Sequence, residues 1–267
     1  MTGKKSEEIN MNKVAIVTDS TAYLPKDVRE QYRINMIPLN VVFGEKSYQE
    51  EIDINVNEFY QKMGEADELP TTSQPAIGQF VSVFEKLQQE GYEQIVTIHL
   101  SSKISGTYQA AISASQLVEG IEVIGIDSEI SCAPQAQLAL EASTIVEKGQ
   151  GIDTIIERIK EIKDSWNAYF MVDDLNHLHR GGRLNATQLL MGNLLKIKPI
   201  LHFVDGRIVP FEKVRTEKKS HGENYWHASR GLESRRLFSC YCHSWKSKGS
   251  SRGNSRIDSL DSLERIR

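Results

Sequence analysis

Three short runs, VAIVTD (14–19), QIVTIHL (94–100) and IEVIGID (121–127), constrain this 267-residue chain more than any other feature. Each is almost wholly apolar and rich in β-branched residues. Each is followed by a stretch with helical spacing: PKDVREQY, GTYQAAISASQLVEG and APQAQLALEASTIVEKG. A strand that shows no polar–apolar alternation must be buried on both faces. Strands of that kind separated by helices pair in parallel, because a parallel return needs a crossover connection. The pattern predicts an α/β fold with a doubly wound, mostly parallel sheet over residues 13–165, after a polar leader at 1–12.

Other segments fill in this frame. INMIPLNVVFGEKSYQE (34–50) reads as extended segments around a turn at Gly44, and EFYQKM (58–63) as helical. In PTTSQPAIGQFVSVFEKLQQEG (70–91) the pattern predicts a helix capped by Ser73, with Pro75 in its first turn and a glycine closing it. GIDTIIERIKEIKDS (151–165) sets Ile152, Ile155, Ile156, Ile159 and Ile162 on one stripe and leads out of the first domain. A second, α+β domain is expected to start within 166–219, near AYFMVDDLNHL. Its clearest element is a hairpin in LLKIKPILHFVDGRIVPFEKVRTEKK (194–219), turned at Asp205-Gly206.

Residues 220–267 differ in character. They contain no Val, Met, Pro, Thr or Gln, yet hold eleven Ser, two of the three Cys and two of the three Trp. Neither strand nor helix periodicity persists there. Read one nucleotide later with permissible codons, CYCHSWKSKGSSRGNSR can encode AIAIAGNPKEAAEAIA, a strand, a turn and a helix. The expectation is an out-of-frame tail that leaves the second domain incomplete.

Composition narrows the function. A formal charge of −4 lacks the basic excess of nucleic-acid binders. No apolar run approaches the ~20 residues that cross a bilayer, and the N-terminus has no secretory apolar core. Cys132, Cys240 and Cys242 form no disulfide framework. The expectation is a cytoplasmic protein without a transmembrane segment, which leaves room for transient contact with a membrane surface.

Ligands of open parallel sheets bind outside the carboxyl ends of the strands. Three such ends carry small polar clusters: TDST (18–21), HLSSKISGT (99–107) and GIDSEIS (125–131). TTSQP (71–75) lies directly before a helix. Converging there, hydroxyls and helix N-termini would favour an anion, and neutral donors suit a carboxylate better than a triphosphate. No phosphate-binding G-x-x-x-x-G-K-[ST] loop or G-x-G-x-x-G occurs. A hydrolase or phosphotransferase using the strand-end serines is the alternative, but ISG lacks the G-x-S-x-G elbow and His99 falls within a strand. Asp19 and Asp127 are candidate acid–base groups or loop caps. His177 and His179 are two apart, so a helix would point them to different faces, and no metal is expected. In RGGR (180–183), Arg180 and Arg183 either neighbour helix-end carbonyls or face an anionic group or partner.

VTDST (17–21), IPLNVVFGEKSYQEEIDI (37–54), TTSQPAIGQF (71–80), SSKISGTYQAA (101–111), IDSEIS (126–131), FMVDDLNHLHRGGRL (170–184) and IKPIL (197–201) occur in order. Together they resemble the DegV family of bacterial fatty-acid-binding proteins, over about residues 13–219. The resemblance implies a two-domain α/β protein enclosing one long acyl chain, with no cofactor and no catalytic residue. It implies that Thr72 and Ser105 hold the lipid carboxylate. Asp19, Ser20, Ser73, Gln74, Ser102, Gly106 and Asp127 would support that head-group region. It further implies an ATP-binding fatty acid kinase subunit as partner, which phosphorylates the presented carboxylate. Ile77, Phe80, Ile104 and Leu189 are candidate walls for the acyl tail, whose burial contributes about 0.8 kcal/mol per methylene. The family's further head-group histidine has no matching motif here, since His221, His227 and His243 lie in the aberrant tail.

Overall fold

The computed structural model describes residues 13–172, 175–184, 198–214 and 236–241. In chain order the strands are β1 (Val14–Asp19), β2 (Ile34–Ile37), β3 (Asn40–Phe43), β4 (Lys46–Gln49), β5 (Thr71–Ser73), β6 (Gln94–His99), β7 (Glu122–Asp127), β8 (Trp166–Met171), β9 (Lys198–Val204), β10 (Arg207–Val214) and β11 (Arg236–Tyr241). The helices are α1 (Lys26–Gln31), α2 (Val56–Glu65), α3 (Ile77–Gln89), α4 (Thr107–Ser115), α5 (Ala133–Glu147), α6 (Ile152–Ser165) and α7 (Leu175–Arg180).

The three apolar runs pair in parallel as their sequence predicts, although the run at 121–127 forms an edge strand that is half-buried rather than buried. With β2 they form a parallel sheet in the order β2-β1-β6-β7, and Ile16 sits opposite both Ile34 and Val96. Val14 and Ile16 of β1 pack with Leu138, Ala142, Ile155 and Ile159 of α5 and α6. Ala15 and Val17, facing the other way, pack with Phe80 and Phe84 of α3 and Ala110 and Ala114 of α4. Strands covered on both faces can be apolar at every position, hence the absence of alternation. The chain moves outward from β1 to β2 on one side and to β6 on the other. The topological switch point therefore lies between the carboxyl ends of β1 and β6, at Asp19 and His99.

Beside this sheet stands an antiparallel one, β4-β3-β5, in which Val41 is opposite both Tyr48 and Thr72. A third sheet, β10-β9-β8-β11, is mixed. Its β9–β10 hairpin turns at Asp205 (φ 48°) and Gly206 (φ 76°), the pair of left-handed residues that a two-residue hairpin favours.

Two expectations are corrected. Ser73 does not cap α3: Thr71–Ser73 pairs with β3, which keeps the chain extended, and Pro75 precedes the helix. The helix begins at Ile77, and the Gln79 side chain reaches back to accept the Ala76 N–H at 2.8 Å. Ile156 leaves the buried stripe of α6 and is 41 % exposed, because Ile155, Ile159 and Ile162 already fill the seam against α5. Within the stretch read as an out-of-frame tail, the backbone of β11 pairs in parallel with β8. The other readings of the tail, Leu189 and the leader at 1–12 lie outside the described residues.

Candidate functional site

At the switch point the buried end of β1 is a polar hub. Asp19 is fully buried, and its Oδ2 accepts from His99 Nδ1 at 2.9 Å and from the Leu100 N–H at 3.1 Å. Its Oδ1 accepts the Thr21 N–H at 3.0 Å, and the Thr21 hydroxyl lies 2.5 Å away. Burial on its own would raise this carboxyl. The hydrogen bond and charge of His99, helped by Thr21 and Leu100, outweigh that and hold it below the ordinary value of 3.8. His99 Nε2 meets the Thr97 hydroxyl at 2.5 Å, and its ring stands edge-on to Phe80 at 5.3 Å. A second layer ties α5 in: Gln135 Nε2 donates to Thr18 Oγ1 at 3.2 Å, and Gln135 Oε1 is 2.9 Å from the Thr21 hydroxyl. Ser20 accepts the Leu39 N–H at 2.9 Å and donates to Glu50 Oε2 at 2.5 Å. Burial pushes the Glu50 carboxyl up. The Ser20 hydrogen bond opposes this, while the negative charges of Asp19 and Glu51 reinforce it.

Above this hub the segment Ser101–Gly106 turns from β6 into α4. Ser101 is buried and fastened three ways: its N–H donates to the Ile130 carbonyl (2.8 Å), its hydroxyl donates to the Gly206 carbonyl (2.7 Å), and its carbonyl accepts the Ser105 N–H (3.1 Å). The Ser102 N–H points at both Asp127 oxygens, 3.2 and 3.3 Å away. Ser105 Oγ pairs with the Thr107 hydroxyl at 2.9 Å and accepts the Thr107 N–H at 3.3 Å, so it ties down the first turn of α4. It stays partly open, unlike the sealed Ser101.

The TTSQP strand arrives at the same place. Thr72, Ser73 and Gln74 are exposed, and the Gln74 carbonyl accepts from Asn40 Nδ2 at 3.3 Å. The Gln74 side chain lies on Gly106, where an added Cβ would fall 1.8 Å from Gln74 Oε1. Only a glycine leaves room for that approach. Two segments about thirty residues apart in sequence are thus brought together, with Ser105 beside the contact.

Asp19 holds the end of β6 beneath this turn through His99 and Leu100, whereas Ser20 bonds to Leu39 and Glu50 and does not reach it; both are closed to solvent. Asp127 braces it from the side and also accepts the Glu129 N–H at 2.9 Å. Arg183 reaches the turn as well, its Nε donating to the Ile104 carbonyl at 3.0 Å and its Nη1 to the Gly181 carbonyl. Arg180 is exposed at the end of α7. Of the candidate tail walls, Phe80 is packed inside the parallel-sheet core and Ile77 is 41 % exposed. Ile104 joins a separate apolar group with Leu175, Leu184, Leu201 and Ile208, next to the partly buried Phe170 and Phe203. A surface cleft of about 340 Å³ lined by Lys26, Arg33, Ile34 and Tyr92 lies at the opposite, amino end of the strands, away from these residues. Among the described residues, no group of three His, Cys, Asp or Glu side chains is placed to hold a metal, and no helix is long and apolar enough to cross a membrane.

Sequence reasoning missed Glu50, Gln135 and Gly206. Gln135 and Thr18 are 117 positions apart, so nothing local announces their bond. Asp205-Gly206 was legible as a turn but not as the anchor of Ser101.

A parallel sheet with a hydroxyl-bearing turn at its switch point, over a sealed polar hub, defines an α/β protein whose exposed hydroxyls gather where open parallel sheets bind their ligands. The chain belongs to the DegV family, described as uncharacterised proteins, whose model matches residues 13–235. It is 59 % identical to a DegV domain-containing protein of Halalkalibacterium halodurans over 210 residues, 79 % of this chain and 74 % of that one. The fold is similar to the crystal structure of DegV from Bacillus subtilis, described as a fatty acid binding protein, with a TM-score of 0.75 and 43 % identity over 86 % of this chain and 92 % of that one. It is also similar to a DegV family protein from Thermus thermophilus described for its fatty acid binding, with a TM-score of 0.73 and 31 % identity over 82 % and 77 %.

Proposed function

We propose that this chain binds a long-chain fatty acid, with its carboxylate at the hydroxyls of Thr72 and Ser105, and presents that carboxylate to an ATP-dependent kinase subunit for conversion to an acyl phosphate. The observation that carries the reading is the seating of Gln74 on Gly106, which joins the TTSQP strand to the Ser105 turn. The fatty-acid-binding relatives supply the ligand class. Neutral hydroxyl donors hold a carboxylate without burying a fixed cation beside it. Ile104, one residue before Ser105, leads into the apolar group with Phe170 and Phe203, a suitable surround for the start of the acyl chain. A partner that consumes ATP sets the protein in the cytoplasm.

The hydrolase alternative is disfavoured by the same geometry. The Asp19–His99–Thr97 chain resembles a charge-relay array, but all three side chains are sealed from solvent. Ser105 is paired instead with Thr107.

Native mass spectrometry of freshly purified protein should show a co-purified mass matching a fatty acid. In titrations with oleate, Ser105→Ala and Thr72→Val should each weaken binding by roughly tenfold or more, since a hydrogen bond to a charged group contributes about 1.5–3 kcal/mol. Absence of lipid in the wild type, or unchanged oleate affinity in both variants, would count against the proposal. Turnover of an ester that is lost in Ser105→Ala would favour the hydrolase.

A further inference from the structure

Helix α2 is amphipathic yet buries no residue of its own. One side rests on the small sheet through Phe59, whose ring is 5.9 Å from that of Phe43. Elsewhere Val56 (61 % exposed) and Tyr60 (37 %) face solvent, as do Ile52 (63 %) before the helix and Leu69 (38 %) after it. Four large apolar side chains exposed within eighteen residues exceed the scattered single exposures normal for a protein surface. This stretch is also where the chain concentrates negative charge. Residues 45–68 hold eight acidic and two basic side chains; Glu50 is turned in on Ser20 and Glu51 pairs with Arg29, which leaves six exposed acidic side chains against Lys46 and Lys62, a local net of −4 equal to that of the whole chain. The patch belongs to the sheet that carries Thr72: β3 pairs with β5 on one edge and with β4, which leads to α2, on the other.

We infer that the exposed apolar face of α2, with its acidic rim, is the docking surface for the protein that reacts with the bound carboxylate, and that this partner presents an apolar groove bordered by Lys and Arg. The inference rests on the proposed carrier function and specifies where its partner lands. Thr72 lies on β5, two strands from the β4 that leads to α2, so an enzyme seated on α2 is one small sheet away from a carboxylate held there. Apolar contacts on α2 supply affinity, and the charge around them steers encounter with a basic surface and repels acidic competitors. An anionic lipid surface is repelled by the same rim, and so is a second copy of the same face.

The test uses the full chain with two double variants, Val56→Gln/Tyr60→Gln and Asp67→Lys/Glu68→Lys, all at exposed positions. Binding to the purified ATP-binding kinase subunit of the same organism is measured by calorimetry. Oleate affinity and melting temperature are measured in parallel. The expected result is at least a fivefold rise in Kd for the subunit in each variant, with oleate affinity and melting temperature unchanged. The Kd of the wild type should also rise with salt, and that salt dependence should flatten in Asp67→Lys/Glu68→Lys. A matched change on another exposed apolar residue, Leu117→Gln, should leave the Kd alone. Unchanged subunit affinity in both variants overturns the inference. So does loss of vesicle sedimentation (phosphatidylglycerol/phosphatidylcholine) in the apolar variant alone, which would assign the face to a membrane, or dissociation of a wild-type dimer, which would assign it to a second copy. Failure of the carrier reading has a different signature: the wild type binds no oleate.

Discussion

Replacing Asp19 with alanine tests whether the hub beneath the Ser105 turn is held together by one carboxylate. Asp19 collects His99 Nδ1, the Leu100 N–H and both donors of Thr21. His99 and Leu100 are buried, so Asp19→Ala strands two donors where no solvent reaches them. Each orphaned donor costs about 1–3 kcal/mol, giving about 2–6 kcal/mol. That range brackets the ~3–5 kcal/mol seen when one partner of a buried ion pair is removed. Asp19→Asn keeps one acceptor oxygen but offers an amide where a second acceptor is needed, so its loss should be smaller. Urea unfolding at pH 7 measures both. The pH dependence supplies a second arm. Because the folded carboxyl lies below 3.8, its ionised form stabilises the fold above that value, and the benefit is lost as pH falls through the folded pKa. The stability gap between wild type and Asp19→Ala should therefore narrow from about pH 5 downward. A loss under about 1 kcal/mol, or a gap that widens on acidification, would refute the reasoning.

Glu50 carries the opposite sign. Its folded pKa is raised above 4.5, so the charged form is disfavoured and stability is lost as pH rises through the folded value. Glu50→Gln, which can still accept from Ser20, should therefore be neutral or stabilising by up to about 1 kcal/mol at pH 7, with the difference vanishing in acid thermal melts. Gly206→Ala places a Cβ 2.5 Å from Ser101 Oγ at φ +76°, whereas Gly149→Ala meets nothing within 4 Å at a similar φ of +73°. Both should pay about 1–2 kcal/mol for the left-handed backbone, but Gly206→Ala should cost about 1 kcal/mol more by urea unfolding, through the lost Ser101 bond. At Gly106 the backbone is ordinary (φ −84°), so alanine should change stability by under about 0.5 kcal/mol. It must displace Gln74, however, and oleate affinity should fall about five- to tenfold in the same titration used for Ser105→Ala.

What the sequence made legible follows the range of the forces involved. Both-face burial leaves a local mark, an unbroken apolar run, so β1 and β6 could be read directly; β7 shows the same run although it is a half-buried edge strand, and the sheet's carboxyl edge followed from all three. The Asp205-Gly206 turn was equally local, since its backbone demands φ > 0 at two successive residues. Ser73 shows where local reading fails. Its hydroxyl, placed before Pro75 and an apolar-periodic stretch, fits a helix cap, but pairing of Thr72 with Val41 extends the chain and hands the N–H bond at Ala76 to Gln79. A ladder to a strand thirty residues earlier outweighed a cap worth about 1 kcal/mol. The same asymmetry governs the site. Its hydroxyls were visible because they crowd one turn, while the groups that aim that turn come from far away: Gly206 is 105 residues from Ser101, and Arg183 is 79 from Ile104. The cluster of hydroxyls after β6 is therefore two populations. Ser101 is spent inside the protein and Ser105 is left at its surface, and only the long-range contacts decide which is which.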